Sequence, residues 1–466
     1  MFPATRFFLL SAGRLFLFLA IGYDGFAEAS PSDQQPIARG YVTNRLPAAL
    51  PVPVDMLGPG EQRTNFQFLC EAIGENYAQF KMKSIDWKGV MLRYERRLNS
   101  GTNTADFYRL MFELMAELKD THSQLQNYRP PQCTNAPGLQ LDLIEGKPIV
   151  VGVREGSEAA QRDIKVGTEL LGIDGMSPEA MMERVRPLLH GFSSERAFRR
   201  EACRELLFGE KNSGVAVTLR DPGGLVRTLE LKRAFEPGQA SALYPGPSNL
   251  ARQHFVHYGH LASGIGYIKI DSFLEKEPID NEFDRALAEL REAPGLVLDL
   301  RDNRGGYGHD RIVGRFLQKP SLCAIGYVIT GAGSNSANLR RYDSTLPPTG
   351  PWQYQGPVAL LVNDVTGSAS DLLACWLRSA KRVTTIGSTT HGILSGTAVF
   401  AVLPCGLVAR ISNGYVCDAS GEPIEGNGNI PDIKVEPTLE SFLAGRDPAL
   451  ECAVSNLTTR LHAPGN

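Results

Sequence analysis

Four short stretches carry residue types that could do chemistry. In Gly367-Ser368-Ala369-Ser370-Asp371 a serine follows the apolar run Val358–Val362. It precedes a helical stretch with Leu372, Leu373, Trp376 and Leu377. A serine at such a turn presents its hydroxyl at the carboxyl end of a strand. The N–H groups that follow face outward at a helix N-terminus, where negative charge is stabilised. That placement suits an acyl-transfer nucleophile, with the N–H of Ala369 aimed at an oxyanion. The plain alternative is an ordinary Ser/Asp N-cap. No G-x-S-x-G elbow occurs, which argues against an α/β-hydrolase.

The second stretch, Asp299-Leu300-Arg301-Asp302-Asn303-Arg304-Gly305-Gly306, runs from a buried-type strand into paired glycines. Glycine there admits positive φ and close backbone approach to a ligand, so the N–H of Gly306 is a candidate second oxyanion donor. Ligands of open α/β sheets bind beyond the carboxyl ends of strands, and both stretches belong there. A base must serve the serine. His122, in Asp120-Thr121-His122-Ser123, is one candidate, and His309 and His391 in Gly-rich loops compete with it. Glu425, in a turn before Asn427-Gly428-Asn429-Ile430-Pro431-Asp432, is a candidate carboxylate.

The elements that must position these residues can be read from the pattern. Phe107, Leu110, Met111, Leu114, Met115 and Leu118 recur on one helical face, with Asn103 or Thr104 as N-cap. Residues 138–234 switch to short β-type runs separated by turns such as Asp174-Gly175, with one helical stretch near 178–188. From about residue 255 strands and helices alternate. Leu296–Leu300 and Val358–Val362 read as buried parallel strands.

Composition bounds the function. The chain has 466 residues, 42% of them apolar, with 48 basic and 51 acidic side chains and a formal net charge of −3. At roughly 100–200 residues per domain this allows two to four domains. The charge balance excludes a general nucleic-acid binder, and the apolar fraction excludes a largely disordered chain. Arg6 and Arg14, the run Leu15–Ile21 and the small-x-small Ala27-Glu28-Ala29 read as an export signal cleaved after Ala29. No later segment reaches the ~18 apolar residues of a spanning helix. The mature protein is therefore expected in a periplasm or outside the cell, without a membrane span. Of eight cysteines none forms a C-x-x-C pair or a zinc-type cluster. Cys405 and Cys417 flank an expected hairpin turn and are candidates to pair across it.

Taken together these segments resemble the tail-specific, or C-terminal-processing, serine protease family, whose relatives include the tricorn protease core. The resemblance rests on Ile85-Asp86-Trp87 and Leu118–Ser123, on Gly156–Ala160 with Val166–Gly175, which look like a PDZ domain, and on Asp299–Gly306, Ser368–Asp371 and Glu425–Asp432. It implies an α/β core of ClpP/crotonase-like type, a mixed sheet with helices, joined to a PDZ domain and a helical N-terminal part. The divisions are a signal peptide (1–29), a linker (30–62), a helical region (63–137), a PDZ-like domain (138–235), the protease core (236–440) and a C-terminal tail (441–466).

Many family members pair the serine with a lysine about 25 residues on, but no lysine occurs here between Lys381 and Lys434. The tricorn-like branch uses Ser, His and Glu, and its pattern falls on Ser368, His122 and Glu425. The implied function is an exported serine endopeptidase with Ser368 as nucleophile, His122 as base, Glu425 orienting the imidazole, and Gly306 and Ala369 as oxyanion donors. Gly138-Leu139-Gln140-Leu141 resembles the loop that takes a substrate's terminal carboxylate. Protein or peptide substrates are implied as partners, and no metal or organic cofactor. The rival reading is an inactive protease fold that binds a peptide or an apolar ligand.

Overall fold

The computed structural model describes residues 39–98, 101–131, 134–236, 243–244, 246–330 and 338–462. The expected export signal lies outside them. At the centre is a seven-stranded mixed sheet. Its order runs Ile433–Lys434, Thr384–Gly387, Val358–Val362, Leu296–Asp299, Gly266–Ile270, Val256–His260 and Ala251–Arg252. The first five strands pair in parallel and the last two antiparallel. Alternate residues serve opposite faces, as a pleated strand requires. Leu296, Leu298, Val358, Leu360 and Val362 meet helices Lys276–Glu289 and Ala369–Ser379 on one face. Val297, Ala359 and Leu361 meet helix Pro448–Leu461 on the other. Burial on both faces explains why these strands read as unbroken apolar runs. This mixed α/β core agrees with the expectation.

Helices Pro59–Asn76, Trp87–Glu95 and Thr104–Ala116 pack against a separate four-stranded sheet. That sheet combines Tyr41–Thr43 and Gln124–Leu125 with Ala398–Val402 and Val408–Ser412. The apolar stripe of the third helix is buried, and the Asn103 side chain caps it by accepting from Asp106 N. Strands from both ends of the chain thus share one sheet, and the N-terminal part is fastened to the core. Residues 138–235 contain a five-stranded antiparallel sheet in sequence order, Leu139–Ile144 at one edge and Val226–Lys232 at the other. Helix Glu195–Glu205 packs on the Leu139–Ile144 strand, where Arg200 and Arg204 pair with the buried Asp142.

Three expectations need correction. The 30–62 stretch is not a free linker over its described part. Tyr41–Thr43 pairs with Phe400–Val402, Val54 N–H donates to Cys405 O, and Pro59 opens a helix. Proline leaves carbonyls and extended backbone available for docking, and it fits the first turn of a helix, so proline content alone did not mark a loose connection. The 441–466 segment is no tail over its described residues. Helix Pro448–Leu461 buries Ala449, Ala453 and Leu457 under the central sheet. Cys405 and Cys417 are both free and buried. Cys405 sits in the turn after Ala398–Val402, whereas Cys417 ends a strand of a different sheet. No described helix is long and apolar enough to cross a membrane.

Candidate active site

The central strand Val358–Val362 ends in a loop held rigid by its own side chains. Asn363 Oδ1 accepts from the N–H groups of Asp302, Val365 and Thr366, and Thr366 Oγ1 donates to Leu300 O. Gly367 N–H donates to Asn303 O. The loop after Val362 and the loop after Asp299 are therefore one bonded unit, as parallel neighbouring strands allow. Ser368 follows with φ 55° and ψ −119°, in front of helix Ala369–Ser379. A non-glycine residue there stores strain of about 1–3 kcal/mol. Asp371 secures it. Its Oδ2 accepts from the N–H groups of Ser368, Gly392 and Ile393, so one carboxylate ties the serine turn to the 392–396 loop. Burial pushes the Asp371 pKa up to about 6.

The Ser368 hydroxyl lies 3.2 Å from His122 Nε2. His122 reaches it from the turn between helix Thr104–Ala116 and strand Gln124–Leu125. Asp120 fixes that turn by accepting from His122 N–H and Ser123 Oγ. Ser123 Oγ in turn accepts from Ser412 N–H on the adjacent strand. The imidazole is only 4% exposed. Burial, with Arg410 adding to it, pushes its pKa down to about 3, so the ring is neutral. Of the three candidate histidines this is the one bonded to the serine. His309 instead binds Asp280 in the core. His391 lies beside the serine turn, its backbone N–H donating to Thr366 O.

The partner of His122 Nδ1 differs from the expectation. Ser395 Oγ lies 2.7 Å from it. Glu425, expected on the imidazole, instead accepts from Leu394 N–H through Oε2 and from Lys83 Nζ through Oε1. It braces the loop that carries Ser395 and binds the ring at one remove. Burial raises the Glu425 pKa to about 7 despite the Lys83 ammonium. The physical reason is geometric: the 392–396 loop passes between Glu425 and the ring. Ser395 and Lys83 carry no local signal in the sequence, and Asp371 reads there only as part of a helix cap. Only the resemblance points to Ser395, whose hydroxyl in Gly392-Ile393-Leu394-Ser395-Gly396 sits in the loop where the family's lysine is missing.

The glycine pair meets the serine turn closely. Gly305 has φ 95°, and a Cβ on it would lie 2.6–2.7 Å from Gly367 O, Ala369 N and Ser368 Cβ. Gly306 has φ 141°, and a Cβ there would lie 2.1 Å from Phe273 O. Only glycine permits this approach. The N–H groups of Gly306 and Ala369 have no acceptor among the described residues. The arrangement is a strained serine, a neutral imidazole within reach, and spare N–H donors beside them. It can carry out acyl transfer. No cluster of metal-ligating side chains occurs among the described residues. Gly138 to Leu141 lie apart from this centre, on the edge strand beneath helix Glu195–Glu205. Gly138 has φ 83°, its carbonyl accepts from Arg154 N–H, and Leu139 and Leu141 are buried.

Comparison with known proteins gives this geometry a context. Residues 264–435 match peptidase family S41, and residues 59–116 match the tricorn protease C1 domain. Tricorn protease homolog 1 of Streptomyces coelicolor is 22% identical over 406 residues, 85% of this chain and 35% of that protein. A carboxy-terminal-processing protease of Bartonella bacilliformis is 30% identical over 196 residues, 40% of this chain and 42% of that protein. The chain thus spans less than half the length of either curated relative. The crystal structure of mature CPAF superposes with a TM-score of 0.72 at 14% identity, covering 88% of this chain and 99% of that one, which is a likeness of fold. The peptidase-family resemblance drawn from the sequence is borne out.

Proposed function

We propose, taking residues 264–435 as a peptidase family S41 core, that the protein is a serine endopeptidase. The observation that carries the reading is the 3.2 Å approach of His122 Nε2 to the Oγ of a strained Ser368. For Nε2 to accept, the ring proton must sit on Nδ1, where it donates to Ser395 Oγ. Ser368 Oγ attacks the scissile carbonyl carbon, its proton passes to His122 Nε2, and the carbonyl oxygen becomes an oxyanion facing Gly306 and Ala369 N–H. Collapse expels the amine, which takes the proton from Nε2, and leaves an acyl-serine. Water, deprotonated by the same imidazole, releases the acid. A buried ring with a pKa near 3 is a weak base at rest. The negative charge of the tetrahedral intermediate beside it raises its basicity when the proton must be held.

The substrates proposed are proteins or peptides. The 138–235 unit is read as PDZ-like, with a substrate's C-terminal strand adding at Gly138–Leu141. Leu139–Ile144 is an edge strand of its sheet, and helix Glu195–Glu205 packs on its face. Export, with cleavage after Ala29, belongs to the same reading.

The test uses a fluorophosphonate probe and a casein-type substrate. Labelling should fall on Ser368, and Ser368→Ala should lose both labelling and cleavage while melting at the same temperature. A mutant that still cleaves ends the serine-peptidase reading. A wild-type protein that neither labels nor cleaves supports the inactive binding fold.

A further inference from the structure

The ammonium of Lys83 has no role in the chemistry described so far, yet its side chain is only 10% exposed. It comes from the turn between helices Pro59–Asn76 and Trp87–Glu95. That turn is fixed. Lys83 N–H donates to Gln79 O, and Gln79 Nε2 donates to Gly414 O, 335 residues away. Phe80 meets Tyr77 edge-on and stacks on Trp87. The lysine is therefore delivered to one place. There Nζ donates to Lys119 O at 2.6 Å and to Glu425 Oε1 at 2.7 Å.

These two bonds close a ring of contacts around His122. Lys119, with φ 50°, opens the turn that carries His122 and precedes Asp120, whose carboxylate accepts from His122 N–H. Glu425 accepts through its other oxygen from Leu394 N–H, next to Ser395, whose Oγ meets His122 Nδ1. One arm reaches the histidine through its own backbone, and the other through its ring nitrogen. Lys83 is where the arms join. The charges follow the same lines. Burial raises the carboxyl of Glu425, and the Lys83 ammonium is the first group to oppose it. Burial acts the same way at Asp120, where Lys83 leads the groups that hold the carboxyl below its usual value. A lysine is almost never buried unless paired. A buried ion pair is nevertheless weak evidence for stability, since apolar side chains of similar volume often do as well. What this pair adds is geometry: a charged strut of fixed length between the two loops that hold the base.

We propose that Lys83 is a positioning residue for the base: its bonds to Lys119 O and Glu425 tie the 119–122 turn to the 392–396 loop and so set the angle of the His122 ring between Ser395 and Ser368. The proposal rests on the peptidase reading above. A misplacement of about 1 Å, made far from the reacting atoms, can cost about 10²-fold in rate. The strut lies behind Ser395, on the Nδ1 side of the ring, so the loss falls on kcat and not on KM.

The experiment follows steady-state hydrolysis of a fluorogenic peptide by the full chain, with a thermal melt beside each variant. Lys83→Met keeps the apolar stem and removes the strut. Expected is a kcat about 10- to 100-fold lower with KM within about twofold of wild type. This variant leaves the Glu425 carboxylate buried without its cation, so it is read beside the double variant Lys83→Met with Glu425→Gln, in which both charges are gone. The double variant should melt close to wild type and keep the low kcat. Adding Ser395→Ala to Lys83→Met should cost less than the product of the two separate losses, because both act through one contact. A Lys83→Met kcat within about twofold of wild type overturns the proposal and leaves the peptidase reading standing. Recovery of kcat in the charge-free double variant also overturns it, since the lysine then only neutralises a carboxylate. So does a double variant that fails to fold, which makes Lys83 structural, or a Ser395→Ala combination whose losses simply multiply. Absence of hydrolysis by the wild-type protein overturns the peptidase reading and the positioning role with it.

Discussion

Ser395→Ala removes the hydroxyl that holds His122 Nδ1 at 2.7 Å. The ring is almost fully buried, and this hydrogen bond matters most when the imidazole takes up the proton. A hydrogen bond to a charged group is worth about 1.5–3 kcal/mol. At about 1.36 kcal/mol per decade of rate, that predicts a fall in kcat of about 10- to 150-fold. The loss must stay well below the ~10⁴ seen when a triad carboxylate is neutralised. A serine holds the tautomer but adds no negative charge to steady an imidazolium. KM should hardly move, because Ser395 lies behind the ring. The assay is steady-state hydrolysis of a fluorogenic peptide, read beside a thermal melt. A variant within twofold of wild type refutes the assignment of Ser395 as the orienting group. A loss beyond 10⁴ at unchanged melting temperature refutes the view that a neutral hydroxyl suffices. Ser395→Asp supplies the missing charge and should raise the pH at which the imidazole titrates.

Three further outcomes follow from the same geometry. Because burial and Arg410 hold the His122 pKa near 3, the imidazole should stay neutral to below pH 5, read from its ring-carbon NMR shifts and not from a rate profile, to which Asp371 and Glu425 would also contribute. Arg410→Met should move that titration upward, and a wild-type midpoint near pH 6.5 would show that the ring is not so depressed. Gly305→Ala forces a Cβ against backbone atoms of the Ser368 turn and should reduce kcat by about 10² or more, as loss of an oxyanion donor does. Unchanged turnover would mean that the glycine pair plays no part in oxyanion binding. Arg301→Met strands two buried carboxylates, Asp299 and Asp447. It should destabilise the fold by about 3–5 kcal/mol, seen as a lower urea midpoint, and a midpoint equal to wild type would contradict this.

The sequence yielded the parts of the site whose signals are local. Ser368 was legible because a buried strand, a Gly-Ser pair and an amphipathic helix are contiguous. The Gly305–Gly306 pair was legible for the same reason. His122 was not legible alone, since one histidine after a helix carries no pattern, and only the family resemblance singled it out. Ser395 stayed hidden because its partner lies 273 residues away in sequence, and no local periodicity encodes such a contact. Glu425 was found yet given the wrong neighbour: a motif fixes which residue enters the site and not which atom it meets there. In the outer segments, high proline content does not mean looseness and a terminal position does not mean a tail. Docking of Tyr41–Thr43 and of helix Pro448–Leu461 depends on surfaces made by distant strands.

The clasp between Arg301 and Asp447 spans 146 residues, and the serine–histidine contact spans 246. Such distant closures are slow and come late in folding. A ribosome-bound chain that has made Ser368 and His122 still lacks Asp447. Arg301, two residues from Asn303 and four from Gly305, then has only Asp299 as a counter-charge. The far helix supplies the second carboxylate of Arg301, while the glycine loop itself is held by the bonds of Asn303 and Asn363. On the peptidase reading, a molecule cut short before Asp447 would keep Ser368 and His122 and yet leave Arg301 half-paired beneath the glycine loop.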